Sequence, residues 1–542
     1  MSLRMATGVV LTAALMASCT TEVPGTPSTT EIVATTSTRP VIASSTSSTT
    51  TIPPTTTTLP PPIEFESTSI DHSDAQRVIS LRLPVSSEPA FNDIVESWAI
   101  VVQADFDRQT QPLIAEHQRQ VAEYERWLAE INQTVPSTTP ATATQATPSS
   151  ASVAPTTTLA PVPPLVLELH TDYEIVESTR TYSMVRLTTL TVLNSSSRPT
   201  SSLWYVGTNG VAFQSRQLIA VDRFSEAVDW LAHDSPGTWD AEHPRDVLRD
   251  IEIRPDGSLQ VTSPSGTTTI VPPEQARSWL SPTGQAVVED NPISPPSEPA
   301  NCDLERCVSL TFDDGPSPST DHLLDILDHA HAKATFFVLG NLVGSRAGVV
   351  RRAAESGHAI GSHSWSHPNM KKLSHAEAMN QISRTARVIQ SATGTAPVMF
   401  RPPYGAYTRA LRSAGVPMIL WNVDTLDWDH KNPAMILERT FDQVAPGSIV
   451  LLHDLHATTV NTTAVLIAEL RADGYRLVTV PAMVGPITPG AVYFGQHHSE
   501  PPPPPTTIAP TTTTLSPTTT VSPTTTVSPT TTIAPSPTTA ST

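Results

Sequence analysis

The stretch that decides the fold is Val308–Pro316, VSLTFDDGP. A short run rich in apolar and β-branched residues reads as a buried strand, and it ends abruptly in two aspartates and a Gly-Pro breaker. Working outward, the same pattern repeats downstream. ATFFVL (334–339), HAIGS (358–362), PVMFR (397–401), MILWNV (418–423), SIVLL (448–452) and YRLVTV (475–480) read as further short strands. Between them, 319–330, 346–356, 375–391, 406–414, 432–444 and 464–471 have helical spacing of apolar residues. Strand and helix in turn predict an α/β domain with a parallel sheet. Its polar residues gather just after the strands, where such folds place their chemistry.

Those strand ends supply a coherent set of groups. Asp313 and Asp314 follow the first strand. SHSWSHP (362–368) follows the third, with His363 and His367 four residues apart. Together with Asp314 they offer a carboxylate and two imidazoles to a divalent metal. Such a site keeps a position open, where a metal acidifies water and polarises a carbonyl. RPPYG (401–405) adds Arg401, able to hold a carboxylate by paired hydrogen bonds, and Tyr404. DTLDW (424–428) adds Asp424, Asp427 and Trp428, and LLHD (451–454) adds Leu451, His453 and Asp454. With Asp313 as base and His453 as acid, a hydrolase expelling an amine has both proton-transfer groups it needs. Blander readings exist for several of these. Trp428 and Leu451 also fit a plain core, and Asp427 and Asp454 also fit turn-satisfying roles. His358, His375 and His456 are read as solvated or structural, and His322, His329 and His331 lie away from the strand ends.

Five motifs, TFDDGP (311–316), HSWSH (363–367), RPPYG, DTLDW and LLHD, occur in the order found in the polysaccharide deacetylase (NodB homology) family, carbohydrate esterase family 4. Residues 305–482 resemble that domain. The resemblance implies a distorted (β/α) barrel and carries roles motif by motif. Asp313 is the base. Asp314, His363 and His367 are the metal triad, usually for zinc and sometimes cobalt or another divalent ion. Arg401 orients the base, and the Tyr404 backbone N–H is an oxyanion donor. Asp424 tunes the acid His453, and Trp428 and Leu451 wall the acetyl methyl. Ser364 stands where Thr is common, and Thr408 where many members have Asn. The run LLHDLHATTV is similar to peptidoglycan deacetylases, which makes cell-wall peptidoglycan the expected partner. Chitin oligomers and acetylxylan are the alternatives within the enzyme class, and a non-catalytic wall-binding protein lies outside it.

The rest of the chain sets this domain in context. Of 542 residues, 53 are proline, many of them in Thr/Ser/Pro tracts that cannot bury a core. The net charge of −19 argues against a nucleic-acid partner. Residues 1–19 read as a signal peptide, with Arg4 before a short apolar run. Cys19 resembles the lipidated cysteine of a bacterial lipobox, although Met16 stands where that pattern has Leu. An extracellular protein is expected, either lipid-anchored through Cys19 or secreted into the wall, and by default monomeric. Residues 20–61 and 483–542 read as disordered spacer and tail. Residues 62–290 read as an α+β accessory domain: a strand at 77–85, a helix at 91–132, an antiparallel sheet from strands within 165–213, and a hairpin at Asp256-Gly257. A low-complexity spacer, 134–160, interrupts it. The region resembles an accessory domain found in some secreted cell-wall enzymes and anti-sigma-factor proteins. Cys302 and Cys307, close together in an exported chain, are expected to pair as a disulfide at the start of the catalytic segment 301–482.

Overall fold

The computed structural model describes residues 63–134, 160–234, 239, 247–264, 266–295, 299–501 and 503. The expected signal peptide with Cys19, the first spacer, most of the spacer after 134 and the tail beyond 503 lie outside the described residues. All described residues belong to one compact unit, Leu59–Thr542.

The first half is a six-stranded sheet ordered β1 (Phe65–Asp71), β2 (Val78–Ser86), β3 (Leu167–Ser178), β4 (Tyr182–Leu193), β5 (Ser196–Gly207) and β6 (Ala212–Gln214). Every pairing is antiparallel except β2 with β3, where Val78 registers with Glu168 in parallel. The strands within 165–213 pair antiparallel with one another as expected, and the whole sheet is mixed because β2 joins β3 in parallel. The reason is the connection: parallel neighbours need a long crossover, here the 46-residue helix α1 (Pro89–Thr134) and the stretch that follows it. A three-stranded meander, β7 (Ile251–Ile253), β8 (Leu259–Thr262) and β9 (Thr268–Val271), packs on the other face with Tyr205 and Trp279.

The second half is built round β10 (Cys307–Asp313), flanked in parallel by β11 (Thr335–Val338) and β15 (Ser448–His453). β12 (Ala359–Ser362) and β14 (Val423–Asp424) extend the sheet on either side, and β16 (Arg476–Leu477) joins the start of β10. Single bridges then carry it from Ser362 through Phe400 to β13 (Met418–Ile419). From there β17 (Val492–Tyr493) and a Gly495–Ser448 bridge return to β15. The result is a distorted (β/α) barrel, filled by Phe337, Met399, Ile419 and Ile449. The distortion falls on the strand expected at 397–401, which is reduced to the Phe400 bridges.

The barrel runs further than the sequence suggests. Residues 483–501 remain with it: β17 and β18 (Ser499–Glu500) pair, and Tyr493 is buried in the barrel core. The residues expected as tail from 483 therefore belong to the barrel as far as Glu500. Cys302 and Cys307 are joined as a disulfide, with Cα atoms 5.4 Å apart.

The two halves share one core. Phe91, Ile94 and Val95 of α1 pack in the same cluster as Val460, Leu466 and Ile467. These belong to the helix Ala457–Ala472, which is buried along nearly its whole length. Arg216, fully buried, reaches across to Glu469 (2.9 Å) and Asp473 (3.0 Å).

Candidate active site

The barrel's topology brings the strand ends together. Asp313 closes β10 and registers with His453 at the end of β15. Arg401 follows the Phe400 bridges and is buried whole. Its Nη1 donates to Asp313 Oδ1 (2.9 Å) and to Thr311 Oγ1 (2.7 Å). Its other nitrogens are fixed by the carbonyls of Ile419 (3.1 Å) and Leu420 (2.9 Å). A guanidinium held at four points can set the Asp313 carboxylate in one orientation. Burial nevertheless lifts the Asp313 pKa above the usual carboxylate range, against the pull of Arg401 and His453. A carboxylate so placed is a stronger proton acceptor than a solvated one.

Next to it, Asp314, His363 and His367 aim one ligand atom each at a common space, all within 4.8 Å of one another. Asp314 Oδ1 lies 3.5 Å from His363 Nε2 and 3.4 Å from His367 Nε2. These distances are too long for good hydrogen bonds, and Asp314 Oδ1 is a buried oxygen with no hydrogen-bond partner. An orphaned carboxylate oxygen facing two imidazole nitrogens fits a divalent cation. His363 Nδ1 is engaged by the Arg401 carbonyl (2.7 Å), which leaves Nε2 for a ligand. Burial pushes the His363 pKa down to about 3, so its imidazole is neutral, as a ligand must be. The backbone is bent to serve this arrangement: Asp314 (φ 69°), Ser364 (φ 69°), His367 (φ 59°) and Tyr404 (φ 59°) are all left-handed. Such strain clusters at functional sites. Ser364 Oγ accepts the His367 N–H (3.0 Å) and pins that turn. The Tyr404 ring, largely exposed, sits edge-on to His367 at 4.6 Å between centroids.

The acid side differs from expectation. His453 Nδ1 meets Asp427 Oδ1 at 2.8 Å, and the His453 N–H donates to Asp427 Oδ2 (2.8 Å). Thr459 Oγ1 also donates to Asp427 Oδ2 (2.7 Å). Asp424, the expected tuner, instead accepts from the Leu426 N–H (3.1 Å) and Trp421 Nε1 (3.4 Å), and among the described residues it makes no hydrogen bond or ion pair with the histidine. Leu426 is left-handed (φ 53°), and after that turn Asp427, read as a turn residue, is buried against His453. DTLDW offers two aspartates three apart, and only this turn decides between them. Burial works against the charge on His453, but the Asp427 hydrogen bond and carboxylate, helped by Asp313 and Asp314, lift its pKa to about 9.

Leu451 is buried on the same strand face as His453 and Ile449. Trp428, half exposed, follows Asp427 at the rim. Asp454 is buried beneath Gly315, where a Cβ would come within 2.3 Å of its carboxylate. It accepts from Thr320 Oγ1, and burial pushes it up to about 7.

Residues 300–418 match the family model described as polysaccharide deacetylase. A peptidoglycan-N-acetylglucosamine deacetylase of Bacillus cereus is 36% identical over 185 residues, covering 32% of this chain and 67% of that protein. The chain belongs to the polysaccharide deacetylase family. Two other members are more similar in sequence. Peptidoglycan-N-acetylglucosamine deacetylase PgdA of Listeria monocytogenes is 41% identical over 195 residues, covering 35% of this chain and 42% of the relative. Peptidoglycan-N-acetylmuramic acid deacetylase PdaC of Bacillus subtilis is 39% identical over 190 residues, covering 35% and 41%. The chain thus spans about two fifths of the length of these two polysaccharide deacetylases.

Proposed function

We propose that this polysaccharide deacetylase hydrolyses N-acetyl groups on peptidoglycan, releasing acetate and leaving a free amine on the sugar. The observation that supports the reading is the meeting, at one mouth of the barrel, of three ligand donors with an arginine-held carboxylate and a carboxylate-paired histidine. Asp314, His363 and His367 would hold a divalent metal, zinc first among candidates and cobalt or another ion next. When bound, it supplies Lewis-acid polarisation of the acetamide carbonyl and acidifies water.

The chain's own residues carry the proton chemistry. Asp313 takes the proton from the attacking water, with Arg401 keeping its oxygens aimed. The Tyr404 backbone N–H donates to the oxyanion as charge develops there. His453, kept cationic by Asp427, gives its proton to the leaving nitrogen as the C–N bond breaks. Leu451 and Trp428 offer apolar surface to the acetyl methyl. Peptidoglycan as substrate draws support from the names of the three relatives above. Export, with Cys19 as a lipid anchor, and a monomeric state belong to the same reading and rest on the sequence.

The test is acetate release by the metal-loaded protein from insoluble peptidoglycan, chitin oligomers and acetylxylan in parallel. Release from peptidoglycan in excess of the others is expected. Release chiefly from chitin oligomers or acetylxylan would move the substrate. No release from any of them by metal-loaded protein would favour a wall-binding role.

A further inference from the structure

Away from the catalytic centre, the described residues enclose a cleft of about 980 Å³ between α1, the β4–β5 hairpin and the helices Pro433–Gln443 and Ala457–Ala472. It shares no residue with the site described above. Such junctions between layers are favoured places for ligands.

The character of the sheet face changes as it enters the cleft. Residues two apart on a strand share a face. Along β4 that face runs Val185, Leu187, Thr189, Thr191, and along β5, read backwards, Val206, Trp204, Ser202, Thr200. The first two of each row lie in the core with α1. The next two of each line the cleft. The β4 row continues to Leu193, which also lines the cleft, so the face presents a band of hydroxyls between apolar residues.

Those hydroxyls are unspent. Thr189, Thr191, Ser197 and Thr200 have no side-chain hydrogen bond among the described residues, and neither does the indole N–H of Trp98, which lines the opposite wall. The lining carboxylates, by contrast, are engaged. Asp105 and Glu438 are both paired with Arg108 (2.7 and 3.0 Å), and Glu469 with Arg216 (2.9 Å). Arg198, exposed on the hairpin, has no ion-pair partner among the described residues. The cleft therefore offers groups that both donate and accept, a donor-only indole beside an aromatic face, and an unpaired cation at its lip. A ligand matching this has many hydroxyls, amide carbonyls, apolar C–H faces and neutral or negative charge. A cationic ligand would find no carboxylate to meet it.

We propose that this cleft binds a segment of N-acetylated glycan strand, as a second saccharide site distinct from the catalytic centre. The choice of an N-acetylated glycan rests on the deacetylase reading above, whereas the hydroxyl-binding character rests on the cleft itself. A polymer held there keeps the enzyme on its substrate between turnovers.

The experiment is hydrogen–deuterium exchange on the full chain carrying Asp313→Asn to suppress turnover, with N-acetylchitohexaose as probe. Protection is expected at 98–109 and 189–202 as well as at the catalytic loops. Trp98→Phe, which keeps the packing but removes the indole N–H, and Arg198→Glu, at an exposed position, should each weaken binding at the cleft by about fivefold, the loss of one ordinary hydrogen bond. Both variants should still release acetate from short soluble oligomers at the parent rate when Asp313 is intact. Protection confined to the catalytic loops would overturn the proposal. So would protection of the cleft by wall stem peptides with none by the sugar. Cleft protection by the sugar in a protein whose Asp313-intact form releases no acetate would leave this inference standing and sink the deacetylase reading.

Discussion

In the proposed mechanism His453 acts as an acid only while it carries its proton, and Asp427, bonded to its Nδ1, favours that form. With its pKa lifted to about 9, the proton is fully present below the ordinary histidine range and is lost as pH rises through 9. The alkaline limb of kcat/KM is therefore expected near pH 9. Asp427→Asn removes the carboxylate that outweighs burial, so the limb should fall to the ordinary histidine value of about 6.5 or below. Asp424→Asn should leave it in place, because Asp424 bonds to Leu426 and Trp421. A pH profile that shifts with Asp424 and ignores Asp427 would restore the assignment expected from the motif alone. The metal side turns on smaller matters. Ser364 lacks the methyl of threonine yet keeps the oxygen that accepts the His367 N–H, so this substitution preserves the turn.

Among the elements, the helix Ala457–Ala472 holds most together. Its sequence ATTVNTTAVLIAELRA places four threonines in the first half, and β-branched hydroxyl residues count against a helix. Reading the helix from 464 missed two turns for that reason. In the structure Thr462 Oγ1 bonds the Thr458 carbonyl (2.7 Å) and Thr463 Oγ1 that of Thr459 (2.9 Å), which satisfies the hydroxyls within the helix. Thr459 itself is committed to Asp427. At its other end the helix buries Glu469 and Asp473 against Arg216. Arg216→Ala removes the buried cation from Glu469 and Asp473, leaving Arg249 3.6 Å from Glu469, and breaking a buried pair in this way typically costs about 3–5 kcal/mol. Thermal unfolding should show a single transition at markedly lower temperature. A drop confined to a few tenths of a kcal/mol would mean that the two halves are held by apolar packing alone.

For the whole molecule, what was legible in the sequence follows physical lines. Strands buried on both faces announce themselves as apolar runs, so β10, β11 and β15 could be read directly, together with the Asp and His residues that end the motifs beside them. Geometry that depends on one residue's backbone could not: the left-handed Leu426 turn separates Asp427 from Asp424, and no composition signals it. The accessory region's elements were visible from alternation and turn residues, but its relation to the barrel was not. Periodicity reports which residues seek burial and is silent on their partner. Arg216, Glu469 and Asp473 are ordinary charges in sequence and a buried cluster in the fold. Residues 483–501 lack a sustained apolar run and precede a Thr/Pro repeat, so sequence groups them with the tail, whereas β17 needs only two residues to continue the barrel beside β13.

The central claim is that the Asp314–His363–His367 triad holds a metal while the neighbouring Asp313 moves the proton. The direct measurement is bound metal per chain alongside acetate release from N-acetylchitohexaose, for the parent protein and for Asp313→Asn. The account predicts near-equal metal content, with turnover lowered by about 10²-fold or more in the variant. Near-parental turnover with Asn at 313, or turnover lost only because the metal is lost, would contradict it.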